Sequence, residues 1–399
     1  MSGADFLPGN RLDLLKNGAE YFPALLAAIE AASSEIHLET YIFNADATGR
    51  RIVAALATAA RRGVVVRVLV DGFGARDFPH ELGQSLAASG AAVEVYRAEP
   101  ARLKLRRHRL RRLHRKLAVI DGRIAFVGGI NVIDDASHPA PRFDYAVRVA
   151  GPLVATIHAS VRHLWRLVGW AKLQRRPPSL PLGDWSGEPL AGTMSAAFLI
   201  RDNLRHRRDI EDAYLAALGA ARSEVLLANA YFLPGWRFRH ALREAAARGV
   251  AVTILLQGRV EYALLHYATQ ALYRNLLDGG VRIFEYHAGF LHAKVAVVDD
   301  CWATVGSSNI DPFSLLLARE GNVVVQDVAF ATQLRVSLRY ALANGAAEVA
   351  LPDLRRRSLL GRAVRWAAYG LVRLLLGITR YGASDYKARP PPAPPSREG

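Results

Sequence analysis

The stretch His114-Arg115-Lys116-Leu117-Ala118-Val119-Ile120-Asp121-Gly122, continued by Ile124-Ala125-Phe126-Val127-Gly128-Gly129-Ile130-Asn131, decides the fold because the chain contains it twice. The second copy runs His292-Ala293-Lys294-Val295-Ala296-Val297-Val298-Asp299 and closes on Val305-Gly306-Ser307-Ser308-Asn309. In both copies four residues separate lysine from aspartate and six separate aspartate from glycine. The apolar run after each lysine predicts a strand buried on both faces. Histidine and lysine stand two apart as the chain enters that strand, so their side chains leave on the same side. Asp121-Gly122 is a turn signal, and the next apolar run carries Gly129 and Asn131 back beside the His/Lys pair.

Working outward, the repeat extends well beyond the motif. Ala32-Ser33-Ser34-Glu35-Ile36 is echoed by Ala221-Arg222-Ser223-Glu224-Val225, and Arg61-Arg62-Gly63-Val64 by Ala247-Arg248-Gly249-Val250. The offset is 189 residues at the glutamates (35 to 224), 186 at the glycines (63 to 249) and 178 at the motif histidines (114 to 292). Such slow drift is the mark of a duplicated unit with altered loops. Apolar periodicity predicts helices over 22–32, 49–62 and 79–89 and strands over 35–43, 64–70 and 92–96, an α/β unit. The expected organisation is a first lobe over 1–175, a Pro-rich crossing at 176–190, and a second lobe over 191–350. A basic amphipathic helix over 355–381 follows, then a disordered Pro-rich tail over 385–399.

With 399 residues and 51% hydrophobic content the chain has ample core for two lobes. Its net charge of +16 implies anionic partners, either nucleic acid or acidic lipid. Cys301 is the only cysteine, so neither an intrachain disulfide nor a thiolate metal cluster forms. Met1 to Arg11 lacks the basic and apolar segments of a signal peptide, and no stretch reaches the ~18 apolar residues of a spanning helix.

Two histidines and two lysines around one phosphodiester make a complete reaction set. The ammonium groups hold the non-bridging oxygens, one neutral imidazole attacks phosphorus, and the other, protonated, serves the departing alkoxide. No divalent metal or cofactor is required. Each imidazole also needs a partner on its other nitrogen to fix its tautomer. Asp121 and Asp299 lie five residues beyond their lysines, at the far strand end, where a turn or salt-bridge role outweighs a catalytic one. Asn131, Ser307 and Asn309 have the reach to donate to phosphate oxygens.

This doubled pattern resembles the signature of the phospholipase D superfamily. Leu38-Glu39-Thr40-Tyr41-Ile42-Phe43, Asn229-Ala230-Tyr231-Phe232-Leu233-Pro234-Gly235 and Ile310-Asp311-Pro312-Phe313-Ser314 further resemble its bacterial cardiolipin synthases. The resemblance implies two similar lobes of mixed sheet flanked by helices, with both motifs in one active site at their interface. It implies a catalytic set of His114, Lys116, Asp121, His292, Lys294 and Asp299, with His114 as nucleophile and His292 as general acid. Asp144 and Glu320, acids that follow the two motif asparagines, are the implied orienting partners. The implied reaction is phosphatidyl transfer between two phosphatidylglycerol molecules, giving cardiolipin and glycerol through a phosphohistidine. Phosphatidylethanolamine remains open as donor, and lipid hydrolysis or nucleic acid cleavage remain as alternative activities.

The expected partners are phospholipids, glycerol and an anionic membrane surface, and the expected location is peripheral, on the cytoplasmic side of the cell inner membrane. Nucleic acid is not expected, because Arg102 to Lys116 carries nine basic residues but no aromatic platform for stacked bases. Two regions are candidate membrane contacts. One is that basic stretch. The other is the helix over 355–381, whose arginines at 355, 362, 373 and 380 fall within about 20° of one line, opposite Leu360, Val364, Ala367, Leu371, Leu375 and Ile378.

Overall fold

The computed structural model describes residues 5–97, 111–135, 141–171, 190–202, 205–312, 314, 318–356 and 358–378. The Pro-rich crossing, the tail, Arg380 and most of the basic stretch before His114 lie outside the described residues. The first half contains β1 (Leu7–Lys16), α1 (Asn17–Ala31), β2 (Glu35–Thr40), α2 (Ala47–Arg61), β3 (Val65–Asp71), α3 (Gln84–Ala88) and β4 (Ala92–Tyr96). It continues through β5 (Lys116–Ile120), β6 (Ile124–Gly128), β7 (Arg142–Phe143), β8 (Tyr145–Ala150) and α4 (Leu153–Ala171). The second half repeats the plan with β9 (Met194–Arg201), α5 (Asp209–Ala220), β10 (Glu224–Asn229), α6 (Trp236–Ala247), β11 (Ala251–Gln257), α7 (Ala263–Leu277) and β12 (Arg282–Tyr286). Then come β13 (Phe290–Leu291), β14 (Lys294–Val298), β15 (Trp302–Gly306), β16 (Glu320–Gln326), α8 (Val328–Gly345) and β17 (Ala346–Glu348). Two further helices, α9 (Leu351–Arg356) and α10 (Leu359–Ile378), end the described chain.

The first half orders its strands β1-β8-β6-β5-β2-β3-β4, and the second repeats this as β9-β16-β15-β14-β10-β11-β12 with β17 outside. β1 and β9 pair antiparallel, so the two halves join as one 15-stranded mixed sheet. The motif strands are buried on both faces, as their composition requires. Leu117, Val119, Val295 and Val297 point into a core shared by both halves together with α4 and α8, while Ala118 and Ile120 face α1 and α2, and Ala296 and Val298 face α5 and α6. Two expected elements are shorter. The strand over 35–43 stops at Thr40, and the helix over 79–89 begins as a π-helical turn, Pro79–Gly83, before α3.

The two repeated phrases turn out to be partners. Asp121 takes a left-handed backbone (φ 52°), and its carboxylate accepts from the backbone N–H groups of Ser33, Ser34 and Glu35 at 2.8–2.9 Å and from both serine hydroxyls. Asp299 (φ 48°) accepts likewise from the backbone N–H groups of Arg222, Ser223 and Glu224 and from the one hydroxyl there, that of Ser223. Each aspartate thus ties the end of a motif strand to the start of the neighbouring strand, β2 or β10. Burial pushes the Asp121 carboxyl up, but these donated bonds outweigh it and hold the group below its ordinary value.

The C-terminal helix departs from expectation. The segment breaks near residue 358, and α10 docks on α7 through Arg365, Ala368, Tyr369 and Val372 rather than lying free. The Arg365 guanidinium donates to Gln270 Oε1 at 2.7 Å and lies over the Tyr267 ring. The leucine face is left bare beside this seat: Leu360, Val364, Leu371 and Leu375 are 75%, 47%, 46% and 44% exposed. Among the described residues no helix is long and apolar enough to cross a membrane.

Removing the aspartate hub takes the acceptor from three backbone N–H groups, including the buried one of Glu35, whose loss costs about 1–3 kcal/mol. Asp121→Ala should therefore lower unfolding stability by about 2 kcal/mol or more, read as a shifted denaturation midpoint. A shift below about 0.5 kcal/mol, the range of neutral surface changes, would refute the structural role.

Candidate active site

The short pairings between lobes assemble the site. β7 pairs in parallel with β13, and the His292 backbone N–H donates to Phe143 O at 2.9 Å. On the other side the His114 N–H donates to Arg319 O at 3.0 Å. Each histidine is thereby laid beside the segment that carries the other lobe's acid. His114 Nδ1 lies 2.9 Å and 3.1 Å from the two Glu320 oxygens, and His292 Nδ1 lies 2.6 Å from Asp144 Oδ2. Both implied orienting acids are therefore in contact with an imidazole, and the pairing crosses between lobes. With Nδ1 engaged, Nε2 of each ring is the nitrogen left for a substrate.

Lysine and histidine leave the strand on one side, as expected. Lys116 Nζ donates to His114 O at 2.5 Å, and Lys294 Nζ contacts His292 O and lies 2.8 Å from His292 Nδ1. That nitrogen cannot both donate to Asp144 and accept from Lys294. The shorter contact to a carboxylate fixes it as the donor.

Glycine and serine at matched motif positions reflect the different lengths of the two acids. A Cβ at Gly129 would stand 2.4 Å from Asp144 Oδ1, so only glycine fits there. In the second lobe the Ser307 hydroxyl fills the same place and donates to Glu320 Oε2 at 2.5 Å. Asn131 and Asn309 play matched parts. Their Oδ1 atoms accept from the Ile42 and Tyr231 N–H groups at 3.2 Å, which directs each NH2 away from that loop. Asp121 and Asp299 make no contact with either imidazole; they serve the far strand ends described above.

Two residues of the site were not singled out from sequence. Arg115, the middle residue of the first motif, is 3% exposed and forms a two-pronged ion pair with Glu39, with a further bond to Ser160 of α4 at 2.9 Å. The matched residues in the second lobe are Ala293 and Ala228, both fully buried. The signal was legible as an acid at an inward position of a wholly buried strand, where the matched residue of the second lobe is alanine. Tyr41 is the second: its ring lies 5.0 Å from the His114 ring, and Lys116 Nζ sits 5.4 Å above it.

Burial dominates the electrostatics. It pushes the Lys116 ammonium down to about 7 and Lys294 down to about 8, against the upward pull of Glu320 and Asp144. Both imidazoles are lowered by burial and by the lysines, His292 the more strongly. Burial raises Asp144 to about 6 against the pull of Lys294. This is a site desolvated for an anion: a bound phosphodiester favours the charged form of every one of these nitrogens. The sign follows directly. As pH rises through 7–8 the free enzyme loses lysine charge, so kcat/KM for an anionic diester falls there, while the fall in kcat moves to higher pH because the bound anion raises the lysine pKa values. A kcat/KM profile that stays flat across that range would contradict the assignment.

Comparison with known proteins agrees with this geometry. The domain signature described as cardiolipin synthase, PLD-like domain, matches residues 25–165 and 214–341. Cardiolipin synthase B of Escherichia coli K12 is 42% identical over 356 residues, covering 86% of this chain and 82% of its own. The Salmonella typhi protein of that name is 39% identical, with 98% and 95% covered. The major cardiolipin synthase of Bacillus subtilis is 32% identical, with 83% and 68% covered. In fold the chain is similar to phosphatidylserine synthase of Haemophilus influenzae, with a TM-score of 0.65 at 13% identity over 96% of this chain and 97% of that one. A repeated sheet, paired His/Lys motifs and these relatives agree: the chain belongs to the cardiolipin synthase family of phospholipase D-like proteins.

Proposed function

We propose that the chain is a phosphatidyltransferase that makes cardiolipin from two phosphatidylglycerol molecules through a phosphohistidine. The observation that carries this reading is the crossed pairing, which presents two Nε2 atoms and two buried ammonium groups to one phosphodiester. His114 Nε2 attacks phosphorus, the P–O bond to glycerol breaks, and His292 gives its proton to the departing glycerol oxygen. A hydroxyl of the second phosphatidylglycerol then loses its proton to His292 and attacks phosphorus. The P–N bond breaks, cardiolipin leaves, and both imidazoles return to their starting forms. Two contacts support this division of roles. Glu320 takes donors from both His114 and Ser307, which holds His114 in the tautomer with a free Nε2 lone pair. The short His292–Asp144 contact joins an imidazole whose proton affinity burial lowers to a carboxyl whose affinity burial raises, so the proton between them is shared rather than held by one partner alone.

The test is the purified protein with phosphatidylglycerol vesicles, with and without chelator, read by lipid chromatography beside a single-stranded DNA control. Cardiolipin and glycerol in equal amounts are expected, and His292→Ala should accumulate a phosphatidyl adduct on His114. DNA cleavage without lipid product would favour the nuclease alternative, and an adduct found only on His292 in the reciprocal His114→Ala protein would reverse the roles.

We further propose a peripheral location on the cytoplasmic side of the inner membrane, with α10 as the membrane contact. Its bare leucines span an arc of about 100°, with Arg362, Trp366 and Arg373 on the opposite side of the helix, the arrangement of a helix lying in a head-group layer. The charge of +16 suits the anionic leaflet there. Replacing Leu360, Leu371 and Leu375 with Asp should abolish co-sedimentation with anionic vesicles while leaving thermal unfolding unchanged. Undiminished vesicle binding would move the contact to the basic stretch before His114.

A further inference from the structure

The two lobes differ at one matched position beside the catalytic row. Strand register fixes the match. Thr40 pairs with Val70 and Asp71 with Tyr96 in the first lobe, as Asn229 pairs with Leu256 and Gln257 with Tyr286 in the second. Asp71 is fully buried and closed on its own loops, accepting from the backbone N–H groups of Phe73, Gly74 and Leu113. Gln257 is 7% exposed, and its Oε1 accepts from the Arg259 N–H at 3.3 Å. That bond sets which end of the amide is which, and the buried Nε2 has no hydrogen-bond partner. A donor left in that state costs about 1–3 kcal/mol, so its retention needs a reason.

Gln257 lines a small pocket with Tyr231, Glu261, His266 and Thr269. Its volume is about 30 Å³, room for one or two water-sized polar groups. The pocket stands close to the chemistry. Lys294 pairs with Asn229 and Asn229 with Leu256, so Gln257 sits one residue beyond that row and two strands away, about 10 Å from the lysine backbone. Its wall is tied to the second motif, since the Tyr231 N–H is held by Asn309 and the Tyr231 hydroxyl by Glu261.

We propose that this pocket receives the terminal hydroxyl end of a glycerol head group whose phosphate lies at the His/Lys site. The proposal rests on the reading of phosphatidylglycerol as substrate and names the residues that select it. The unpartnered Gln257 N–H requires an oxygen acceptor, and a glycerol hydroxyl supplies one while its own proton goes to the Glu261 carboxylate or to Thr269 Oγ1. Thr269 Oγ1 already donates to Leu265 O at 2.9 Å, so toward a ligand it accepts. An ethanolamine ammonium carries donors only, so it can pair with Glu261 but leaves the Gln257 amide unsatisfied, whereas a polyol satisfies both groups.

The test compares head-group release from vesicles holding either phosphatidylglycerol or phosphatidylpropanol, the same diester without the two hydroxyls. The wild-type protein should prefer phosphatidylglycerol in kcat/KM by about tenfold or more, the value of one well-placed hydrogen bond. Gln257→Met should erase most of that preference by raising KM for phosphatidylglycerol, with kcat and the phosphatidylpropanol reaction little changed. Thr269→Val, at a half-buried position that tolerates an isosteric change, should reduce the preference in the same direction and serves if Gln257→Met does not fold. Variants that retain the full preference, or that slow both lipids alike, would overturn the pocket assignment while leaving the transferase reading intact. A wild-type protein that makes no cardiolipin from phosphatidylglycerol would overturn that reading, and the pocket assignment with it.

Discussion

Everything at this site depends on a crossing: each imidazole is oriented by a carboxylate from the other lobe, and each crossing is fixed by a backbone hydrogen bond beside it. Neither lobe alone can hold a histidine in a defined tautomer. The sheet that joins the lobes through β1 and β9, with the core they share, is therefore a condition of the chemistry as much as of stability. The arrangement is expensive. Glu320 and Lys294 are fully buried, with Asp144 and Lys116 at 3% exposure, and buried charges cost several kcal/mol each unless matched. The carboxylates offset part of that cost. The remaining deficit is a set of ammonium groups poorly solvated until an anion arrives, which turns burial into affinity for a phosphodiester.

The duplicated halves are equal in topology and unequal in chemistry. Glu39 and Arg115 stand where the second lobe has Ala228 and Ala293, so the first motif is locked to β2 by an ion pair and to α4 by a hydrogen bond, while the matched residues of the second are buried alanines. Gly129 and Ser307 accommodate a short acid and a long one. These differences matter because a symmetric pair of histidines has no reason to divide labour. An imidazole facing a doubly bonded carboxylate and one sharing a short contact with a proton-hungry aspartate are different reagents, although the sequence around them reads almost the same.

Much of this was legible in the sequence, for physical reasons. Unbroken apolar runs after Lys116 and Lys294 admit only a strand covered on both faces, and that is what they form. The echo of Ser34-Glu35 in Ser223-Glu224 was visible as repetition, but its cause, a partner for each motif aspartate, needs three dimensions. The crossing of the acids was hidden because sequence distance favours a partner within the same lobe. β1 and β9 were hidden too: β1 carries Pro8, Gly9 and Asn10, and the short segment preceding β9 offers no strong periodicity to read. For α10 the periodicity was real, but it cannot say which side of a helix meets protein. The seat is the narrow stripe of Ala368 and Val372, and the richer apolar face is left outside.

With α10 as the proposed membrane contact, that outcome would link the bilayer to the site through one element. Helix α7 presents His266 and Thr269 to the head-group pocket and Tyr267, Gln270 and Leu272 to α10. A lipid that keeps its acyl chains in the bilayer can raise its phosphate only a limited height above the surface. If the bare leucines sit in the bilayer as proposed, their distance from the His/Lys site constrains which lipids react, and α7 sets it. Because α7 also borders the pocket beside Gln257, the same helix fixes the height of the phosphate and the space for what is attached to it. On the two proposals above, selection of the head group and placement at the membrane are one structural problem set on the second lobe, while in the first lobe the matched Asp71 is closed on its own loops and Arg115 is bonded to α4.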